Sequence, residues 1–320
     1  MSRFSKGRNL MVTKVFERAG SAKDIYKVPD GAGGYECIEF LFSERVSILD
    51  LGGLPVLFPG LGKIRCAISG RIFQELNAAG FATHYISHDI EAATMRVKPL
   101  EIYELDTHYG PSNCGRVLGV EIIDRWVVTE KLLRRIAAGE VDQAAIESLL
   151  VDERGLVVGA RLNPPFVECT TKYRDADVYV SDTQAAELAT IDHPQLMTCY
   201  DEVKRAAVFL KNFFHSYGFD RKDGKWEGAW FGGGFMFADS ISPDEQRLIG
   251  PDGRSHDKDP VRQWFENNHP DWYKSVVAAK EQFPEDRSKW PQYPVEMPPE
   301  EVILDVVERY KTVAVGIDAM

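Results

Sequence analysis

Strand-like segments crowd into the first hundred residues of this chain, and helical periodicity takes over only afterwards. This segregation constrains the fold more than any other feature. Residues 11–28 (MVTKVFERAGSAKDIYKV) alternate apolar and polar side chains on both sides of Gly20, the pattern of two strands joined by a glycine turn. Asp30-Gly31-Ala32-Gly33-Gly34 supplies the next turn, and residues 35–43 (YECIEFLFS) are rich in strand formers. The N-terminus therefore opens as an antiparallel meander. After a Gly/Pro-rich stretch at 51–62, Ile68, Ile72, Phe73, Leu76 and Ala79 fall at helical spacing, with Gly80 where a helix should stop. A strand pair is expected near 82–86 and 94–103.

Downstream, Leu132, Leu133 and Ile136 suggest a helix closed by Gly139, and 140–150 continue in helical composition. Residues 156–170 read as strand material broken by Asn163-Pro164-Pro165. The clearest helix covers 199–217, where Val203, Ala207, Leu210, Phe214 and Tyr217 make one face and Gly218 signals the stop. KWEGAW, the run FGGG and FMFADSI then read as a β-hairpin. Helical spacing returns from about 260, followed by a Pro-rich linker at 284–299 and a last helix near 300–314. Regular βαβ alternation is excluded and an α+β architecture is expected. Its two lobes are a β-rich lobe over 1–103 and an α+β lobe over 104–320, and the cleft between them is a natural nucleotide site.

Charge narrows the function classes. With 38 Lys+Arg against 49 Asp+Glu the net charge is −11, which argues against a general nucleic-acid binder. No apolar run reaches the ~20 residues that span a bilayer, and the start lacks the apolar stretch of a secretory signal, so no membrane partner and a cytoplasmic address are expected. Cys37, Cys66, Cys114, Cys169 and Cys199 form no CxxC pair, and the seven histidines include no HExxH; neither a disulfide framework nor a zinc site is indicated.

Several short segments carry chemistry. In Gly20-Ser21-Ala22-Lys23 the glycine lets backbone approach phosphate oxygens and the lysine can place a cation over them; an ordinary hairpin turn would look the same. Asp223, Lys225 and Glu227 alternate along one strand and so share a face, while Asp239 arrives on the returning strand. Two facing carboxylates repel unless a cation joins them, and Mg²⁺ takes one or two carboxylates plus phosphate oxygens, so Glu227 and Asp239 suit a magnesium nucleotide. A solvated hairpin face is the plain alternative. The loop Asp239-Ser240-Ile241-Ser242-Pro243-Asp244-Glu245-Gln246-Arg247 gathers acids, hydroxyls and an arginine, and Asp257 to Arg262 adds a second charged cluster. Thr170-Thr171-Lys172 follows a strand, with Asp175 and Asp177 close behind.

The order of these motifs resembles the SAICAR synthetase family over about residues 14–280. The matching segments are GSAKDIY (20–26), FSERVSILDLGGLP (42–55), RIFQELNAAGFATHY (71–85), MRVKPLEI (95–102), PFVECTTKYRDADVYVS (165–181), DGKWEG (223–228), FADSISPDEQRL (237–248) and DKDPVRQWF (257–265). The resemblance implies a two-lobed α+β fold with ATP between the lobes, and a ligase that joins a small-molecule carboxylate to the amine of aspartate through an acyl phosphate. It also implies residue roles. Gly20, Ser21 and Lys23 would contact ATP phosphates, and Lys98, Glu101 and Ile102 would border the adenine. Glu227 and Asp239 would hold Mg²⁺, Lys225, Lys172 and Arg247 would be catalytic, and Arg125, Ser242, Asp244 and Arg262 would meet the substrate. A homo-oligomer is the expected assembly.

Departures from the family pattern lie on the acceptor side. In the family an arginine followed by a Gly-Ser element holds the substrate's ribose phosphate; here Arg125 is followed by Trp126-Val127-Val128-Thr129-Glu130-Lys131. Leu61-Gly62 stands where the family has a Lys-Gly pair, and residues of roughly 104–118 are an extra stretch. Two alternatives therefore stay open: a related ligase of specialised metabolism that activates a different carboxylate, and a non-catalytic nucleotide-binding homologue.

Overall fold

The computed structural model describes residues 14–101, 115–151 and 153–320. Strands β1 (Val15–Ala19), β2 (Lys23–Pro29) and β3 (Tyr35–Phe42) form the expected meander. The Gly20 amide donates to the Lys23 carbonyl at 2.8 Å, which closes the first turn, and a Cβ at Gly20 would stand 2.8 Å from that same oxygen. After the small ladder of β4 (Arg45–Ser47) and β5 (Gly53–Leu57) comes α1 (Leu61–Ala78), then β6 (Tyr85–Asp89) and β7 (Thr94–Val97). These complete an antiparallel sheet in the order β1-β2-β3-β7-β6. Helix α1 starts seven residues before the first periodic position noted in the sequence, because Leu61 and Ile64 are also buried and Gly60 turns the chain with φ of 83°.

The second sheet is built from β8 (Val120–Val127), β9 (Arg161–Thr171), β10 (Tyr179–Val180), β11 (Asp220–Phe231), β12 (Gly234–Ala238) and β13 (Gln246–Ile249). Its order is β10-β9-β8-β11-β12, with β13 also paired to β11. Helices α2 (Glu130–Ala137) and α3 (Gln143–Glu147) make a satellite core with Leu162, while α4 (Asp182–Ala189) and α5 (His193–Ser216) cover the back of the sheet. Both α4 and α5 begin at capping boxes, Ser181 with Gln184 and Asp192 with Gln195, which is why α5 starts earlier than its apolar stripe suggests. Helices α6 (Asp259–Asn268), α7 (Pro270–Gln282) and α8 (Glu300–Gly316) close the chain, and α8 packs on α1.

One expectation is corrected here. Strand β9 is not broken at Asn163-Pro164-Pro165. The ladder with β8 shifts register between the pairs Arg125–Phe166 and Val127–Arg161, so the prolines stand in the offset, where the ladder asks for no N–H donor.

The two sheets meet at β12. Phe237 donates to the Ala82 carbonyl at 2.9 Å and accepts from the His84 amide at 3.0 Å. One apolar cluster runs from Phe40 and Phe73 to Trp226 and Leu210, and so ties the sheets together. The expected boundary at 103/104 lies outside the described residues, as do Ile102 and Cys114; Cys37, Cys66, Cys169 and Cys199 are buried and free. Among the described residues no helix is long and apolar enough to cross a membrane.

Candidate active-site cleft

Directly opposed residues of an antiparallel ladder share a face, so the pairings determine what the front of the second sheet presents. Asp223 opposes Arg125 on one side and Arg247 on the other; Ile123 opposes Lys225 and Glu168; Thr170 opposes Glu121 and Tyr179. Glu227 and Lys172 are two residues further along the strand or chain and continue this face. The back face carries Trp226, whose indole donates to Asp124 at 2.6 Å, and Arg221, which binds both Asp124 oxygens at 2.6 Å. Gly224 is required by this packing, because a Cβ there would meet an Arg221 nitrogen at 1.8 Å.

Glu227 lies opposite Ala238, the residue before Asp239. Strict alternation would turn the Asp239 side chain to the other side, but Asp239 has φ of 65°, a left-handed conformation that aspartate tolerates. Its carboxyl consequently comes beside that of Glu227, close enough for each charge to act on the other. Lys23 reaches Asp239 at 2.6 Å and Ser240 at 2.9 Å, and Lys172 is ion-paired to Glu227. Burial raises the Glu227 pKa and the Asp239 charge raises it further. Burial would also raise Asp239, but Lys23 and Lys172 outweigh it and leave this carboxyl well below its usual range. Two acidic groups of opposite pKa tendency thus sit together where a cation would relieve their repulsion. Among the described residues no group of three or more Asp, Glu, His or Cys side chains forms a metal cage, so a divalent ion here would draw its remaining ligands from substrate and water.

Lys225 extends beside this pair to Glu121 at 2.8 Å and Asp177 at 3.2 Å. Burial acts to lower the Lys225 pKa, yet Glu121 and Asp177 raise it well above normal, so it is a fixed cation. Glu121 is pushed up to about 7 by burial, with Asp177 and Glu227 adding to the effect and Lys225 and Lys172 opposing it. Sequence reasoning did not single out Glu121. The signal was available in its alternation with Ile123 and Arg125 along one strand.

These groups form one wall of a cleft of about 880 Å³. Gly20, Ser21 and Lys23 line it from the β1–β2 turn, facing Lys98 and Glu101 across apolar Ile25, Ile38, Val97 and Leu100. The Lys98 ammonium is held by the Thr83 carbonyl at 3.0 Å, and Glu101 is paired with Arg116 at 2.5 Å at the exposed rim. His84 Nε2–H donates to the Asp239 carbonyl at 2.9 Å, and burial lowers its pKa to about 3, so it is neutral.

The loop after β12 enters the cleft from the other side. Asp244 accepts from buried Arg65 of α1 at 2.7 and 3.1 Å and pairs with Lys258 at 3.3 Å. Ser242 donates to Glu245 at 2.9 Å, and burial together with Asp244 lifts the Glu245 carboxyl to about 8. Arg262 lines the cleft and pairs with Asp259 at 2.9 Å. Arg247 is set apart from Lys225 and Lys172: half-exposed on β13, it pairs with Asp223 at 3.6 Å next to Arg125.

Arg125 itself donates to buried Glu168 at 2.7 Å and to the Tyr179 hydroxyl at 2.5 Å. Arg135 of α2 takes the other Glu168 oxygen at 2.5 Å and stacks 3.6 Å from the Tyr179 ring centre. No local pattern singles out Arg135, Glu168 or Tyr179, because their meeting depends on the β8–β9–β10 register.

The family model for SAICAR synthetase matches residues 17–279. The phosphoribosylaminoimidazole-succinocarboxamide synthase of Streptococcus pyogenes is 28% identical over 263 residues, covering 81% of this chain and 94% of that protein. Its namesake in Streptococcus thermophilus is 28% identical over 246 residues, covering 76% and 88%. Among solved structures, the Saccharomyces cerevisiae SAICAR synthase complexed with SAICAR superimposes with a TM-score of 0.67 at 17% identity, covering 100% of this chain and 99% of that one. A SAICAR synthetase in complex with ADP gives 0.59 at 21% identity, covering 86% and 99%.

Proposed function

The chain belongs to the SAICAR synthetase family of purine-biosynthesis ligases, and from that premise we propose that it is an ATP-dependent carboxylate–amine ligase that joins a carboxylated aminoimidazole ribonucleotide to L-aspartate. The observation that carries this reading is the buried Glu227–Asp239 pair, flanked by Lys23 and Lys172 and facing the glycine turn at Gly20. In this reading Glu227 and Asp239 hold Mg²⁺, which when bound neutralises charge on the nucleotide phosphates.

The residues divide the work by charge. Gly20, Ser21 and Lys23 hold the phosphate tail, and the apolar strip of Ile25, Val97 and Leu100 beside Lys98 and Glu101 receives the base. Lys225 and Lys172 are fixed cations where the γ-phosphoryl group is transferred. An oxygen of the acceptor carboxylate bonds to the γ-phosphorus, the bond to the bridging oxygen breaks, and ADP leaves. The amine then attacks the acyl carbon and phosphate departs with the oxygen it gained. The amine must shed a proton in this step, and Glu121, held at about 7 between Lys225 and Lys172, is the carboxyl suited to take it.

Carboxylate labelled with ¹⁸O tests the route: one labelled oxygen should appear in the released phosphate, with sustained turnover only when carboxylate and aspartate are both present. Unlabelled phosphate would refute the acyl phosphate. The loss of the Gly-Ser element after Arg125, where Trp126-Val127-Val128-Thr129-Glu130-Lys131 stands instead, favours one competing reading, a ligase acting on another carboxylate. Silence with the ribonucleotide alongside intact Mg-ATP binding would decide for it.

A further inference from the structure

Two loops that line the cleft are held by a single segment, residues 280–293, just past the stretch matched by the family model. The first loop joins β4 to β5 and contributes Ser47, Leu49 and Asp50 to the cleft. Leu49 and Asp50 are both left-handed, with φ of 53° and 59°, a strained conformation for two consecutive residues that carry side chains. The Tyr293 hydroxyl closes this loop, standing 3.1 Å from the Ile48 carbonyl, 3.0 Å from the Gly52 carbonyl and 3.4 Å from the Ile48 amide. Lys280, near the end of α7, is ion-paired with Asp50. Partial burial acts to raise the Asp50 pKa, but Lys280, Lys225 and Lys258 face the carboxylate and hold it below its usual range.

The second loop follows β9; it contributes Lys172 and Tyr173 to the cleft and brings Asp177 to Lys225 at 3.2 Å. The Pro284 carbonyl accepts from the Ala176 amide at 3.0 Å. The Asp175 carboxylate accepts from the Arg287 amide at 2.9 Å, and the Asp175 carbonyl accepts from the Arg287 guanidinium at 3.0 Å. Between these two attachments the segment contains one short 3-10 turn, Arg287–Lys289, and joins no strand ladder. Buried Trp290, whose indole donates to the Phe283 carbonyl at 2.8 Å, and Tyr293, packed on Trp272 and Phe265, keep its shape. A segment held mainly by its end contacts opens and closes as a unit.

We infer that residues 280–293 form a strap that fixes the Asp50 loop and the Asp177 loop relative to each other at the cleft, with Tyr293 and Lys280 as its positioning residues. Neither side chain lines the cleft itself. A strap carries load only while both ends hold, so release of either end frees both loops. Gly20, Lys98 and the Glu227–Asp239 pair stand on other elements, which leaves nucleotide binding outside its reach. The inference rests on the ligase reading for its effect on turnover, whereas the coupling between the two loops can be tested without it.

Hydrogen exchange of the full chain, read by mass spectrometry, tests the coupling in Tyr293→Phe, which keeps the ring, and in Asp175→Ala, which cuts the other end. Each variant should speed exchange by roughly tenfold or more at the remote loop as well as locally: at 173–179 in Tyr293→Phe and at 47–53 in Asp175→Ala. The double variant should exceed neither single variant by more than about twofold. In turnover assays Tyr293→Phe should lower kcat by about tenfold, with KM for ATP and MgADP affinity within about twofold. Exchange that rises only at the cut end, or an unchanged kcat, overturns the inference. A wild type without turnover whose variants still show the coupled exchange supports the strap and overturns the ligase reading.

Discussion

Glu227→Gln separates stability from function at the carboxyl pair. Two ionised carboxylates about 4 Å apart repel by roughly 4 kcal/mol at an effective dielectric of 20, and the raised pKa of Glu227 records that repulsion on top of burial. The substitution removes it but also takes from Lys172 its nearest partner, leaving Glu121 at 4.0 Å. The two effects oppose each other, so the ligand-free variant should melt within about 2 kcal/mol of the wild type. Nucleotide linkage should respond very differently. At a hundredfold excess over Kd, MgADP stabilises the wild type by about 2.7 kcal/mol, worth roughly 5 °C in a chain of this size. Melting curves with ADP across a magnesium titration should show that shift in the wild type and none of its magnesium-dependent part in the variant, with turnover down by at least ~10²-fold. A magnesium-dependent shift equal to that of the wild type would refute the reasoning.

Three further outcomes follow from the same geometry. Lys225→Ala should lower kcat by about 10²-fold or more while KM for ATP moves by only a few fold, as steady-state kinetics will read; an unchanged kcat removes Lys225 from the transferring phosphoryl group. Glu121 binds its proton more tightly folded, at about 7, than unfolded, near 4.5, so its contribution to stability is present below 4.5 and is lost as pH rises to 7. Glu121→Gln should flatten the stability–pH curve across that window in denaturant titrations, and an unaltered slope counts against the burial of this carboxyl. Gly224→Ala forces a Cβ against Arg221 and should cost about 1–3 kcal/mol of stability, visible as a lower urea midpoint.

How far the site was legible depends on the range of the interactions that make it. Alternation along one strand already places Asp223, Lys225 and Glu227 together, and the glycine run announces the hairpin that returns Asp239. The left-handed backbone that turns Asp239 towards Glu227 leaves no mark in an apolar–polar pattern. Glu121 and Tyr179 join the site only through cross-strand register over 49 and more residues of separation, which a single sequence does not encode locally. Arg65 has no local sign of its place either: it is buried on α1 because Asp244, 179 residues away, supplies the counter-charge. The Asn163-Pro164-Pro165 segment misleads for a similar reason, since the bulge that accommodates it belongs to the pairing with β8.

In the ligase proposed above, Glu227 and Asp239 grip one divalent ion against a nucleotide's phosphates. Crystals grown with ADP and Mn²⁺, measured at the manganese absorption edge, report on it most directly. An anomalous peak is expected within coordination distance of both carboxylates and of a phosphate oxygen, with Lys23 on the same phosphate tail. A nucleotide bound with its metal elsewhere, or manganese density away from this pair, would contradict it.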